Sequence, residues 1–370
     1  MKITCNRSEL LSAITGVGRA VSGKTSIPSI EGILFQCDDT KLKLSAYDLE
    51  IGIMTYAPAD IIEPGDIVIN ARLLGDILRK SEGESVTITA DDNLRVEIRS
   101  GITKYSFIGI PAADFPELPM PDTDSSLSMP GQDFKELVEK TIYAVSTNDQ
   151  KPVHTGSKFI LEDGCLTVVS VDGHRLAVAK KEGIANAELS KSFIVPAKTL
   201  QEVSKLISDH EENIRIGTAR RYAVFNLVGY TVVTRLLEGD FIDYKKSIPC
   251  SNKTTVTVDT ASLMDAVERT SLIISDRFKS PIRMGFEDGI VRINCATALG
   301  SVYDEIACEC EGDGLEIGFN YRYVLDALRN AGIPQVKLLL NEPTMPMTVV
   351  PTEGDDFLFL ILPVRLRSNE

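Results

Sequence analysis

Along the chain, apolar residues follow two periods, and at three places the period switches from two to about 3.6 within a few residues. DIVINARLLGDILRK from Asp66, SFIVPAKTLQEVSKL from Ser192 and LEIGFNYRYVLDALRN from Leu315 each predict a strand that runs directly into a helix. Asn70, Pro196 and Asn320 stand where a helix cap or first-turn residue belongs. A second helix is expected in each repeat: RSELLSAITGVGRAV from Arg7, GQDFKELVEKTIYAV from Gly131 and DTASLMDAVERTSLII from Asp259. Phe134, Leu137, Val138, Thr141, Ile142 and Val145 mark the apolar stripe most clearly. Ser8, Asp133 and either Ser262 or Thr260 are the expected caps.

The rest alternates with period two. GILFQCDDTKLKLSAYDLEIGI, KFILEDGCLTVVSVDGHRLAVA and RMGFEDGIVRINCATALGSVYDEI each contain an Asp- or Gly-rich turn, with Asp48 and Asp172 at matching places. The pattern recurs roughly every 125 residues. It predicts three domains, 1–120, 128–249 and 251–370, joined by PDTDSSLSMPG and PCSNKTT. The expected class is α+β, with antiparallel sheets and two helices per repeat packed on one face. Unpaired sheet edges at the ends of such a row invite end-to-end association, and a head-to-tail contact that closes makes a ring.

On the three strand-helix segments, Arg72, Lys198 and Arg322 align, as do Arg79, Lys205 and Arg329 seven residues later, with Asp76, Glu202 and Asp326 between them. Seven residues is about two helical turns, so each helix carries two cations on one face. That placement matters because the 370-residue chain is acidic, with 39 basic against 53 acidic residues and a net charge of −14. Evenly spread, such charge would repel a phosphate backbone. At 43% hydrophobic and 25% charged residues, the composition is that of folded protein and excludes a disordered chain.

The seven cysteines contain no C-x-x-C pair and read as free thiols; Cys308 and Cys310 share a strand face without a metal-ligand pattern. In VDGHR, Asp172 and His174 could suggest acid-base chemistry, but no G-x-S-x-G, metal cluster or phosphate loop accompanies them. With 6% aromatic residues and no Trp, the chain offers no stacking platform for single strands. MKITCNRSELL lacks a signal-peptide pattern, and no apolar run reaches the roughly 18 residues of a membrane span, so a cytoplasmic protein is expected.

TSIPSIEGILF, AADFPELP, VDGHRLA, EGDFIDYKKSIP, IGFNYRYVLDAL and LPVRL, in that order and with the threefold repeat, resemble the bacterial sliding clamp family, the beta subunit of DNA polymerase III, over the whole chain. The resemblance implies the DNA clamp fold, closed head to tail as a homodimeric ring around double-stranded DNA without sequence specificity. It implies a non-catalytic processivity factor without cofactor, opened by a clamp loader and bound by the DNA polymerase III alpha subunit and other proteins carrying a clamp-binding motif. The implied pore residues are Lys24, Arg72, Arg79, Asn148, Lys198, Lys205, Arg322 and Arg329, with Asn294 beside them. The implied peptide pocket comprises His154, Asp172, Gly173, His174, Arg175, Leu176, Ile242, Lys246, Ser247, Asn320, Tyr323, Thr344, Met345, Pro346, Leu360, Leu362, Pro363, Val364, Arg365 and Leu366. Leu176, Leu362 and Val364 would line an apolar trough, with His174, Arg175 and Arg365 as hydrogen-bond donors.

For ring closure, KYSFIGI and TSLIIS match the family's subunit contact, with Tyr105 and Phe107 facing Leu272 and Ile273. The chain departs from the family pattern at Ile242, where proline is frequent, at Lys245 and Lys246 in place of an arginine pair, at His154 in place of an aliphatic residue, and in its RSNE end. A Lys for an Arg loses planar bidentate bonding, which bears on motif preference. A non-catalytic β-repeat structural or interaction protein is the alternative; it accounts for the repeat but not for the recurring cations.

Overall fold

The computed structural model describes all residues except 24, 124, 149, 185–189, 209–212, 276–279, 288 and 367–370. Packing divides the chain into two compact units, Met1–Phe134 with Lys198–Leu236, and Lys135–Ala197 with Leu237–Glu370.

The first unit holds two antiparallel sheets. One has the order β5 (Asp60–Glu63), β1 (Lys2–Asn6), β7 (Ser85–Ala90), β8 (Arg95–Ser100), β9 (Thr103–Ile108). The other runs β10 (Ser125–Pro130), β15 (Asn213–Thr218), β16 (Tyr222–Asn226), β17 (Tyr230–Arg235), β4 (Ile51–Ala57), β3 (Leu42–Tyr47), β2 (Gly32–Cys37), β6 (Gly65–Asn70). Helices α1 (Arg7–Val17) and α2 (Ala71–Lys80) pack together, and the unit also includes α4 (Ala197–Leu206) from Lys198 on. Arg7 ties the first pair, donating to the Leu78 carbonyl in α2 at 3.1 Å and to the Gly83 carbonyl at 3.0 Å.

The second unit repeats the scheme. Its larger sheet runs β14 (Lys191–Pro196), β11 (Gly156–Glu162), β12 (Cys165–Val171), β13 (Arg175–Lys181), β26 (Phe357–Ile361), β25 (Met347–Pro351), β24 (Gln335–Leu340), β18 (Thr254–Asp259), β22 (Glu309–Gly312). The smaller is β21 (Gly300–Ala307), β20 (Ile290–Thr297), β19 (Ile282–Glu287), β23 (Leu315–Phe319). Its helices are α3 (Gly131–Ile142) from Lys135 on, α5 (Thr260–Ser271) and α6 (Tyr321–Ala331).

All six helices lie where the sequence pattern places them, and Asn70 and Asn320 cap as expected, accepting from the N–H of Leu73 at 3.0 Å and Arg322 at 3.1 Å. Two caps differ. At α1 the acceptor is Asn6, bonded by the N–H of Ser8 (2.9 Å) and Glu9 (3.2 Å), and at α5 it is Asp259, bonded by Ser262 N–H at 2.8 Å. In both cases the last residue of the preceding strand already has the extended backbone a cap requires. Half of the expected first linker is also structured: SSLSMP forms β10, because Leu127 and Met129 alternate into the core between serines. The segment AADFPELP packs on the first unit too, with Phe115 buried against Leu34, Tyr47 and Val68, and Leu118 lying on Gly52 where any Cβ would clash.

Candidate peptide groove and cationic helix faces

In the second unit the turn between β12 and β13 positions the first group of site residues. Asp172 Oδ1 accepts from the backbone N–H of His174 (2.9 Å) and of Arg175 (3.0 Å), and Gly173 takes φ +91°, which a side chain would resist. The turn exposes His174, whose ring stacks on Tyr323 of α6 at 6.0 Å and 18°. Beyond it, Leu176 pairs with Leu360 across the β13–β26 ladder, and both are buried. Phe241, Tyr244 and Ile248 cover that ladder. His154 meets Phe241 edge-on at 5.6 Å, and burial followed by the charge of Lys151 holds its imidazole below the ordinary value.

The chain end builds the other wall. Leu362 N–H donates to the His174 carbonyl at 2.9 Å and Val364 N–H to the Gly318 carbonyl at 2.8 Å. A Cβ on Gly318 would meet Leu366 Cδ2 at 2.5 Å, so the glycine lets the segment lie flat. Between these walls is a cavity of about 490 Å³, bounded by His174, Asn320, Tyr323, Leu362, Pro363 and Val364 among others. Its size and apolar wall with a few polar groups suit a short peptide. Ile242, Leu362 and Val364 are exposed, at 42%, 39% and 38%.

Other expected pocket residues sit apart from this cavity's lining. Pro346 bounds a separate space of about 200 Å³ with Ile248, Leu340 and Leu358, and Met345 closes a turn onto the Glu342 carbonyl at 2.9 Å, with Thr344 exposed beside it. Lys246 and Ser247 are exposed on a 3₁₀ turn, Lys246 paired with Asp243 at 3.0 Å, and Arg365 is exposed. The cavity also recruits Ile274, Ser275 and Pro281, which the sequence reading did not assign to it.

Arg175 is held inside the protein. Its Nε donates to Asp172 Oδ2 at 2.9 Å and its Nη1 to Asp326 Oδ2 at 2.5 Å. The guanidinium lies over the rings of Tyr143 at 5.3 Å and Tyr323 at 4.7 Å. Burial opposes its charge, but Asp326 and Asp172 together hold it above the ordinary guanidinium value, while burial drives the Tyr143 phenol well up.

The aligned cations are exposed on their helices, and most are already paired. Arg79 meets Asp76 at 2.7 Å, Lys205 meets Glu202 at 2.8 Å, Lys198 meets Asp48, and Arg329 meets Glu268 at 2.5 Å. Arg72 has no ion-pair partner among the described residues. The carboxylate between the aligned cations therefore pairs with the second cation of its own helix in α2 and α4, whereas in α6 Asp326 is taken by Arg175. Among the described residues no group of His, Cys, Asp and Glu is placed to hold a metal ion.

Three family models match in succession: the DNA polymerase III beta subunit N-terminal domain over residues 1–119, its central domain over 128–243 and its C-terminal domain over 245–365. The chain belongs to the DNA polymerase III beta subunit family. The beta sliding clamp of Halalkalibacterium halodurans is 30% identical over 378 residues, covering 99% of this chain and 100% of that one. That of Staphylococcus aureus is 28% identical over 375 residues, covering 99% of each. Among solved structures, a DNA polymerase sliding clamp from Bacillus subtilis aligns with a TM-score of 0.96 at 27% identity, over 99% of this chain and 100% of that chain. A Pseudomonas aeruginosa sliding clamp bound to griselimycin aligns at 0.94 and 25% identity with the same coverage. The architecture is the three-domain clamp fold.

Within that clamp fold, β9 and β21 are each the last strand of a sheet. On β9, Tyr105 and Phe107 are half-buried and Ile108 is exposed; on the second unit, Leu272 and Leu299 are exposed at 82% and 80%, Tyr303 is exposed, and Ile273 is half-buried. Ile108 lies within KYSFIGI, whereas Leu299 and Tyr303 were not placed at the contact from the sequence, since alternation marks a strand but not whether it lies at an edge. Asn148 is exposed in a turn after α3, and Asn294 lies on β20 opposite Tyr303. Lys24 and the RSNE end fall outside the described residues. No helix among the described residues is long and apolar enough to cross a membrane.

Proposed function

We propose that this chain is the sliding clamp of a bacterial replicase, a non-catalytic subunit that holds the polymerase to double-stranded DNA in the cytoplasm. The observation that carries the reading is the recurrence of two cations on one helix in each of three repeats of an acidic chain. Cations already paired with carboxylates give weak, sequence-independent phosphate contact, as sliding requires. The domains are 1–120, 128–249 and 251–370, and the DNA-facing residues are Arg72, Arg79, Lys198, Lys205, Arg322 and Arg329, with Lys24 and Asn148 added from the family pattern. Two copies join head to tail through the β9 edge of one and the β21 edge of the other, with Leu272 and Ile273 beside the seam. The groove at the start of β13 receives the motif of the polymerase alpha subunit, the clamp loader and other partners.

The test is loading onto a nicked circular plasmid with a clamp loader and ATP, followed by a single cut. Release on linearisation is the expected result. Retention after cutting, or failure to load where a control clamp loads, overturns topological binding.

A further inference from the structure

The turn that opens the groove occurs twice in the chain. In Asp48–Ile51, as in Asp172–Arg175, aspartate Oδ1 accepts from two following N–H groups, at 3.0 Å from Glu50 and 2.8 Å from Ile51. The second residue is left-handed in both, Leu49 at φ +78° and Gly173 at φ +91°. Each turn then enters a ladder that joins neighbouring repeats, Gly52 opposite Val233 in one and Leu176 opposite Leu360 in the other.

The copies differ in what neutralises the aspartate. Asp48, with a side chain 5% exposed, is met by Lys198, the first repeated cation of its helix, and the turn ends in a fully buried Ile51. In the second copy the counterpart of Lys198 is Arg322. It does not close on Asp172 in the same way: its Nε donates to the Tyr321 hydroxyl at 3.1 Å, and it lines the cavity. Asp172, only 14% exposed, is satisfied instead by Arg175, which stands where the first copy has Ile51.

A carboxylate that deep requires a cation, and its source decides whether the helix residue crosses the space or leaves it open. We infer that Arg175 is a positioning residue that keeps the groove open: by neutralising Asp172 from within β13 it removes the charge that would draw Arg322 across the cavity. The same guanidinium, anchored on Asp326, backs the Tyr323 ring on which His174 stacks. The inference rests on the groove being the peptide site.

The experiment measures binding of a fluorescein-labelled peptide from a DNA polymerase III alpha subunit by anisotropy, with the unlabelled peptide as competitor and dimer mass as the folding control. Arg175→Ile, which installs the first copy's residue, should weaken the peptide by about tenfold or more, and adding Arg322→Gln should restore affinity to that of Arg322→Gln alone. Arg175→Lys keeps a charge between the two aspartates should the isoleucine variant fail to fold; about three- to tenfold weakening is expected, recovered in the same way. Wild-type affinity in folded Arg175→Lys, or a loss that Arg322→Gln does not recover, overturns the inference while leaving the groove intact. Absence of peptide binding by the wild-type protein overturns the groove reading and the inference with it.

Discussion

Phe359 joins the core to the groove. Its ring meets Tyr143 edge-on at 5.6 Å and stacks on Phe357 at 4.6 Å, one residue from the buried Leu360 that pairs with Leu176. Phe359→Ala should cost about 3–5 kcal/mol, read as a shift in urea midpoint without change in slope. His154 gives a pH signature. Because its folded pKa lies below the unfolded one, its contribution to stability is full above about pH 6.5 and is lost as pH falls through the folded value. His154→Gln should therefore flatten the acid side of a melting-temperature profile; an unchanged profile would assign that slope elsewhere. Asp172 was legible as a repeated turn residue. The partners of Arg175 were not, since Asp326 lies 151 residues away and Tyr143 falls between the stripe positions Ile142 and Val145 with nothing in the pattern to mark it.

At the scale of elements, the helices were the most readable, because a 3.6 period recurs six times and an Asn or Asp cap opens α1, α2, α5 and α6. Strands were readable as alternation, but β10 was hidden by serines and the short β5 and β22 by their polar sequence. The closing segment 362–366 depends on Gly318, so Gly318→Ala should push the tail off β23 and weaken the labelled peptide by about three- to tenfold at constant dimer mass. Unchanged affinity would show that the tail does not wall the site. Just after α5, charged residues at both Leu272 and Ile273 should give folded monomers by light scattering; a dimer mass would move the seam away from the end of α5.

For the whole molecule, clamps on closed circles should stay bound at salt that releases ordinary phosphate binders, and Arg72→Ala should lower whatever direct, salt-sensitive affinity exists for linear DNA more than Lys198→Ala, since Lys198 already has Asp48. A larger loss for Lys198→Ala would contradict that ranking. The threefold repeat was plain in the sequence, whereas the division into two packing units was not. Ladders β17–β4 and β13–β26 each join strands from adjoining repeats, so the middle repeat contributes one sheet half to each unit.

That pairing has a consequence on the ribosome. Thr55 lies opposite Tyr230, so β4, with Ile51 and Ile53 fully buried in the finished fold, has one edge without its partner until the distant β17 emerges. At roughly 5–20 residues per second the interval is on the order of ten to thirty seconds. Throughout it, an apolar strand edge faces solvent beside its neighbours on the same polysome, which makes the nascent chain a substrate for holding chaperones and its synthesis rate a determinant of yield.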